Sequence, residues 1–365
     1  MRIPAILFAC LLSASAGLSQ VSSTLPKGKD STEGTGSGWA TWRYAPARAV
    51  YSYNATAFPW GASPKVIRAV SARRDGLITT TFVKNTKKIR LFVSYDGNDP
   101  WALDVRFEGN HGKMRTMVLG TAAAPASVLY PADPKPPVGK TAPFTVSFPF
   151  SRPFLLPAKT RNLIFDFRAY GTVATRDYWY VDSEFKSGGA LTRGSLVRAG
   201  AQCPTTPLMT ISNYVAWPNA TFINYVVTRV AKAPVVAWIG APLATPIPLG
   251  KGCTLYVRPL VLLTGTADNS TLGRATFSWG KIPNQASFIG KKIAYQFAVV
   301  KAGYPFLGAV GVTQWGDYTI GSGYANKVDQ GTVYKYALSS SSLFDPDRVA
   351  NADYLSTRAP VLLVR

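Results

Sequence analysis

Hydrophobic and polar residues alternate along much of the first half of the chain. In KKIRLFVSYD, residues 87–96, every second position from Ile89 to Tyr95 is apolar. The same period of two runs through WALDVRFEG, residues 101–109, and NLIFDFRAY, residues 162–170. A period of two is typical of antiparallel strands with one buried side and one side facing solvent. The pattern therefore predicts that all three segments are strands.

The second half of the chain carries further strand candidates separated by turn residues. They include ATFINYVVTRV, residues 220–230, CTLYVRP, residues 253–259, and KKIAYQFAVV, residues 291–300. No stretch repeats apolar residues at the spacing of three, four and seven that is typical of a helix. The sequence therefore predicts an all-β protein built from two tandem antiparallel β-sandwiches of the jelly-roll or immunoglobulin-like kind.

The N-terminal residues have the composition of an export signal. Residues 1–16 combine a basic Arg2, an apolar run and a small-x-small cleavage site, which predicts a signal peptide cut after Ala16. A buried N-terminal helix and a lipoprotein signal that uses Cys10 are the alternatives. Residues 17–38 are rich in Gly, Ser and Thr and predict a flexible leader. The protein is expected to be secreted, extracellular or held at the cell surface, without a transmembrane segment.

The predicted strands and turns divide the rest of the chain into two domains. The first sandwich is expected over residues 39–198 and the second over residues 199–323. Residues 324–365 form a tail, whose final APVLLVR would add a last strand to either domain. The sequence leaves that choice open.

The charge balance of the chain is strongly basic. It contains 40 Lys and Arg against 18 Asp and Glu, a formal net charge of +22. So basic an exported protein should attract anionic surfaces, although the charge could equally serve only to keep a β protein soluble. The densest basic stretch, residues 65–90, holds Lys65, Arg68, Arg73, Arg74, Lys84, Lys87, Lys88 and Arg90. If its strands are adjacent, these side chains form a cationic face.

That face would bind an anionic polysaccharide or another cell-surface polymer, mainly through electrostatics, and nothing in the sequence indicates a specific nucleic acid partner. DYWYVDSEF, residues 177–185, offers a second binding feature. Tyr178 and Tyr180 lie on one side of this predicted strand, and Trp179 and Val181 lie on the other. One side is expected to be core, and the other is either an aromatic platform for sugar rings or, more simply, a surface for cross-strand packing.

Residue types suited to catalysis are scarce. The one histidine, His111, lies in EGNHGK and is predicted to be an exposed turn residue. A Ser-His-Asp or Cys-His site would have to use it. One histidine and two mature cysteines cannot supply the usual zinc ligands, so we expect no metal site and no cofactor. An oxygen-ligated calcium site at Asp96, Asn98 and Asp99 is the weaker alternative to a simple turn.

Paired carboxylates are the remaining catalytic candidates. Asp166, Asp182 and Glu184 lie on predicted strands, and Asp182 and Glu184 share a face because they are two residues apart. A glycoside hydrolase needs two carboxyl groups across a cleft. The alternative is that these side chains form ion pairs with the surplus arginines.

The cysteines indicate a disulfide. Export places the chain in an oxidising compartment, where thiols pair. Removal of the signal peptide removes Cys10 and leaves Cys203 and Cys253. Their pairing would join the start of the second sandwich to its middle strand.

The second domain resembles a module of uncharacterised secreted proteins from planctomycete-type bacteria. The resemblance rests on Cys203-Pro204, on LGKGC at residues 249–253, on IPN at residues 282–284, and on Gly290 and Gln296. It implies export and a β-sandwich, and it implies no known activity. The sequence as a whole favours a non-enzymatic secreted protein with a structural, adhesive or polymer-binding role. The alternative is an extracellular carbohydrate-active hydrolase.

Overall fold

A computed structural model describes most of the chain after residue 21. The described residues are 22–38, 40–58, 63–132, 136–137, 140–172, 175–176, 179–187, 191–192, 194–214, 216–218, 220–283, 285–324, 329–337, 344–349, 351–352, 354–356 and 358–365. The predicted signal peptide, Cys10, the first residues of the predicted leader and Tyr178 lie outside them. The chain divides into two compact units: unit 1 comprises residues 1–188 and 326–365, and unit 2 comprises residues 189–325.

Unit 1 consists of antiparallel strands and short turns. Its strands are β1 Ser23–Leu25, β2 Gly36–Gly38, β3 Tyr44–Ala45, β4 Ala47–Asn54, β5 Lys65–Ala72, β6 Asn85–Tyr95, β7 Lys113–Leu119, β8 Ala126–Tyr130, β9 Val146–Leu156, β10 Asn162–Tyr170, β11 Thr175–Arg176 and β12 Val181–Phe185, and, from the end of the chain, β24 Gln330–Tyr336, β25 Tyr354–Ser356, β26 Arg358–Pro360 and β27 Leu362–Val364. It also contains the one α-helix of the described residues, Ala40–Arg43, and the 3₁₀ turns Ala55–Ala57, Pro100–Ala102 and Glu108–Asn110.

Two sheets enclose the main core of unit 1. The larger has the order β25-β24-β4-β10-β6-β7, with β8 also paired to β6, and the smaller has the order β1-β27-β5-β9. A three-stranded sheet, β2-β12-β26, and the pair β11-β3 complete the unit. The alternating apolar residues of β6 and β10, such as Leu91 and Phe167, lie in the core as predicted. Trp42 fills the space between the large sheets, 5.2 Å from the ring of Phe167 and 5.6 Å from that of Phe148.

The prediction that WALDVRFEG is a strand is wrong. The segment contains parts of the 3₁₀ turns Pro100–Ala102 and Glu108–Asn110, and it crosses the outer face of the seven-stranded sheet. Leu103 and Phe107 pack there against Val50, Ile164 and Val333. Period-two alternation arises here because turns can also direct alternate side chains towards one surface.

The prediction of a flexible leader over residues 17–38 is wrong for residues 22–38. Strand β1 pairs with β27 and β2 pairs with β12, both antiparallel. Leu25 is fully buried in the main core. Polar composition alone predicts flexibility, but these residues gain backbone hydrogen bonds from strands that are distant in sequence.

The tail pairs with unit 1. Strand β24 pairs with β4, β26 with β12, and β27 lies between β1 and β5. The final APVLLVR therefore supplies a strand to the first unit, which answers the question that the sequence left open.

Unit 2 contains two facing sheets of its own. Its strands are β13 Leu191–Thr192, β14 Ser195–Ala199, β15 Thr210–Asn213, β16 Thr221–Val227, β17 Pro234–Gly250, β18 Cys253–Thr266, β19 Arg274–Lys281, β20 Lys292–Val300, β21 Val310–Val312, β22 Trp315–Thr319 and β23 Gly323–Tyr324, with a 3₁₀ turn at Ala286–Phe288. One sheet has the order β14-β22-β20-β17-β18, with β21 on β20, and the other has the order β15-β16-β19. Phe222, Phe277 and Phe297 lie in the core of this unit.

Unit 2 begins about ten residues earlier than the predicted boundary at 198/199. The reason is that β13 pairs with β23 and β14 pairs with β22, so β13 and β14 belong to the second unit. The fold class is all-β, with multiple antiparallel sheets, as predicted. Among the described residues, no helix has the length and hydrophobicity needed to cross a membrane.

Candidate functional site

A cluster of charged side chains lies on the outer face of the seven-stranded sheet. The register places Arg168 of β10 directly between Arg48 of β4 and Arg90 of β6. Three neighbouring cations would repel one another, so carboxylates are required on the same face. We call this group the ion cluster; its members are Arg48, Arg90, Glu108, His111, Arg115, Asp166, Arg168 and Asp347.

Asp166 is the centre of the ion cluster. Its Oδ1 accepts a hydrogen bond from Arg48 Nε at 3.0 Å, and its Oδ2 accepts one from Arg48 Nη2 at 2.7 Å. Arg168 Nη2 also donates to Oδ2 at 2.7 Å. Burial alone would raise the pKa of the Asp166 carboxyl, but Arg48, His111 and Arg168 hold it well below its usual range. The Asp166 carboxyl is therefore ionised, and its oxygens are bound by side chains of the protein.

The prediction that His111 is an exposed turn residue is wrong. Its side chain is 5% exposed, with Nδ1 2.9 Å from Ser94 Oγ and Nε2 3.2 Å from Asp166 Oδ2. Ser94, His111 and Asp166 are therefore in contact with one another. The residues next to each of them in the sequence did not predict this contact. Ser94 is fully buried, however, so a substrate has no access to its hydroxyl. The arrangement supports no nucleophilic role.

Asp182 and Glu184 share a face of β12, but each is bound to other residues. Asp182 Oδ2 accepts from Arg73 Nε at 2.7 Å, and both side chains are fully buried. Burial raises the pKa of Asp182 to about 7, against the opposing effect of Arg73. Glu184 forms an ion pair with Lys29 at 2.9 Å. These contacts match the alternative that the carboxylates pair with basic residues.

A groove of about 970 Å³ adjoins the ion cluster. Arg90, Tyr170 and Asp347 belong to the wall of this groove, and Lys88 lies beside them on β6. Arg168 Nη1 and Tyr170 Oη each donate to Asp347 Oδ1 at 2.7 Å, and Arg90 forms an ion pair with the same carboxylate. The ion cluster therefore holds one wall of the groove in place.

The predicted cationic face of residues 65–90 does not form. Strand β5, with Lys65 and Arg68, belongs to the four-stranded sheet, whereas β6 belongs to the seven-stranded sheet. Lys65 is half-buried, and Arg68 and Lys84 are exposed, without lining the groove. Of the eight predicted residues, only Lys88 and Arg90 line it.

Three of the predicted anion-binding residues are buried. Arg73 is held by Asp182, and Arg74 lies over the ring of Phe82 at 4.0 Å and donates to the carbonyls of Ile78 and Thr80. Lys87 is 4% exposed and lies near the Tyr130 ring. An arginine or lysine in a sequence window contributes charge to the total, but only the fold decides whether that charge reaches solvent.

The remaining sequence candidates have structural roles. Asp96 forms an ion pair with Lys113, and Asp99 accepts a hydrogen bond from Asn162, so both carboxylates stabilise the local fold. Within the described residues, no group of three or more His, Cys, Asp or Glu side chains is arranged to hold a metal ion. Trp179 is core, 5.3 Å from the Tyr130 ring.

Cys203 and Cys253 form the predicted disulfide in unit 2. Their Cα atoms are 5.0 Å apart, and both residues are buried beside Val312. The bond links the loop after β14 to the start of β18. It is a structural element and leaves no thiol at this position.

Comparison with known proteins adds no assignment: no family model, no curated protein and no solved structure matches this chain. The resemblance of residues 200–323 to secreted proteins of planctomycete-type bacteria therefore stays a prediction.

Proposed function

We propose that this is a secreted, non-enzymatic β-sandwich protein that binds an acidic polysaccharide at a cell surface or in the matrix. The groove beside the ion cluster would be the binding site. The observation that carries the proposal is Lys88, an exposed cation on the groove wall. Lys88 donates to Ser127 Oγ at 2.7 Å and has no carboxylate partner among the described residues.

The dimensions of the groove suit a segment of polymer. Ligand sites generally have volumes of roughly 300–1,000 Å³, and this groove lies at the upper end of that range. Tyr170 and Phe344 add aromatic surface to its wall. Sugar rings have apolar C–H faces, which pack against such surfaces.

The two acidic residues of the groove do not cancel its positive charge. Asp347 is shared by Arg90, Arg168 and Tyr170. Asp345 pairs with Arg348 at 3.4 Å. Lys88 is therefore the charge on this wall that remains for a ligand, and the net charge of +22 attracts a polyanion over longer range.

Charge reversal at one lysine tests this proposal. We expect the wild-type protein to bind polygalacturonate or alginate, and Lys88→Glu to weaken binding by about tenfold, which corresponds to about 1.4 kcal/mol. Lys84→Glu is the matched control, because Lys84 is exposed in the same region and lies outside the groove. It should change the Kd by less than about twofold, since the effect of distant exposed charges is screened by salt.

Salt dependence and product analysis complete the test. The dependence of log Kd on log salt should become shallower by about one unit in Lys88→Glu. Equal weakening by Lys84→Glu would mean that binding follows total charge and not the groove. Release of new reducing ends during incubation would contradict the non-enzymatic part of the proposal.

A further inference from the structure

A second, smaller cavity in unit 1 has a different chemical character. It measures about 240 Å³ and lies where strands β2, β12 and β26 face β4 and β24. We call it the hydroxyl pocket. Six of its lining residues carry hydroxyl groups: Ser37, Tyr51, Ser183, Thr332, Tyr334 and Ser356. Arg358 is the one charged residue in its lining.

Strand alternation creates this lining. On β12, Ser183 lines the pocket, whereas its neighbours Asp182 and Glu184 are bound to Arg73 and Lys29. Thr332 and Tyr334 are two apart on β24, so they face the same side. The predicted pair of catalytic carboxylates thus flanks a serine that belongs to a cavity.

Arg358 supplies a cation that forms no direct ion pair among the described residues. Its Nη1 donates to the Ser37 carbonyl at 2.6 Å, and its positive charge opposes the burial that raises the pKa of the Asp75 carboxyl. A Cβ at Gly36 would come within 3.1 Å of the guanidinium carbon, so a glycine there leaves the side chain room to cross β2. Guanidinium carries five N–H donors in a planar fork that suits a carboxylate.

Several pocket hydroxyls already donate their protons within the protein. Ser183 donates to the Val181 carbonyl at 3.3 Å, and Thr332 donates to the Arg358 carbonyl. A hydroxyl oxygen that has donated its proton still has lone pairs to accept with. The pocket therefore offers acceptors for ligand hydroxyl groups together with a cation for an acid group.

The volume restricts the ligand to a small one. Water occupies about 30 Å³ per molecule in the liquid, so 240 Å³ corresponds to a handful of waters. The cavity is below the roughly 300–1,000 Å³ of sites for larger ligands. We propose that the hydroxyl pocket binds a single hydroxylated carboxylate, namely one uronic acid unit, with its carboxylate on Arg358 and its hydroxyl groups on the serine and threonine oxygens.

This inference is independent of the groove, and calorimetry with three small ligands tests it. D-glucuronate should bind at least tenfold tighter than D-glucose, which lacks the carboxylate, and than acetate, which lacks the hydroxyl groups. Arg358→Gln should weaken glucuronate binding by at least tenfold. Arg358→Lys should recover only part of it, because lysine keeps the charge without the fork.

Further variants separate a local effect from misfolding and from an effect of total charge. Tyr334→Phe removes one hydroxyl group without changing the charge and should weaken glucuronate binding by about threefold, with the melting temperature little changed. Lys84→Glu lowers the net charge at an exposed residue that lines neither cavity, so it should leave glucuronate binding unchanged.

Either of two affinity measurements would overturn the inference. One is equal affinity for glucuronate and glucose, which would show that Arg358 does not select an acid. The other is unchanged glucuronate affinity in a folded Arg358→Gln protein. Inorganic phosphate that competes fully with glucuronate at equal concentration would also contradict it, because phosphate lacks the sugar hydroxyl pattern.

Discussion

Arg48 and Asp166 form an ion pair in which both side chains are fully buried, although each lies on the side of its strand that faces away from the main core. Two N–O contacts, of 3.0 and 2.7 Å, join the guanidinium to the carboxylate. The Phe107 ring lies 4.5 Å from the guanidinium carbon and helps to exclude water. The outer face of this sheet is therefore also buried, and ion pairs stabilise it together with hydrophobic contacts.

Asp166→Asn should destabilise unit 1 strongly. Removal of the carboxylate leaves Arg48 buried without its counter-ion, and breaking such a pair typically costs about 3–5 kcal/mol. Urea unfolding would measure this loss as a decrease in the free energy of unfolding. Asp345→Asn is the matched control: its partner Arg348 is exposed, so a loss of at most about 1 kcal/mol is expected. Equal effects of the two substitutions would contradict the assigned importance of the buried pair.

The ion cluster should make unit 1 sensitive to acid. The pKa values of Asp166, Glu108 and Asp347 are all lowered. Burial opposes this shift, but it is outweighed by the arginine partners, together with His111 at Asp166 and the Tyr170 hydroxyl at Asp347. A carboxyl with a lowered pKa in the folded state stabilises the fold above its unfolded pKa, about 4, and loses that contribution as pH falls through the folded value. The free energy of unfolding should therefore decrease below about pH 4.

Denaturant titrations at several pH values would measure this slope. Asp166→Asn should show a shallower decrease at acid pH than the wild-type protein, because one of the linked protons is absent. A wild-type free energy that is constant from pH 5 to pH 2 would contradict this account of the cluster.

Loss of the disulfide should destabilise unit 2. Cys203 and Cys253 are separated by 50 residues, and the chain-entropy relation assigns a loop of this length about 4 kcal/mol. In a Cys203→Ala, Cys253→Ala protein, we expect faster hydrogen exchange in β17 and β18 and a lower free energy of unfolding. A reducing agent should reproduce the effect in the wild-type protein and have none in the double variant. If hydrogen exchange in β17 and β18 is as slow in the double variant and in the reduced wild-type protein as in the oxidised wild-type protein, the disulfide contributes little to stability.

The core side of the long strands could be predicted from sequence. Successive side chains in a strand point to opposite faces, so the apolar positions of β6 and β10 identify one buried face whatever the strands pair with. The same alternation misassigned the other face, with Asp166 and Arg168, to solvent. Residues 101–109 cover that face, and their position depends on the tertiary fold and not on the local period.

The candidate sites were less predictable for a related reason. The excess of basic residues is a property of composition, but the fold buries Arg73 and Arg74 and leaves Lys88 on a groove wall. The hydroxyl pocket is lined by residues from 37 to 360, and no sequence window contains both Ser37 and Arg358. Sites assembled from distant strands leave no local pattern.

The sequence by itself determined the all-β class, because alternation and turn residues are local, and the cysteine pairing, because only two cysteines follow the predicted signal peptide. The tertiary structure decided which unit receives the C-terminal strand, what covers the outer face of the seven-stranded sheet and which charges remain exposed. These outcomes depend on contacts between residues far apart in the chain. β27 illustrates the difference: its apolar residues predict a strand, but its partners β1 and β5 are separated from it by some 290 to 340 residues and are chosen by the fold.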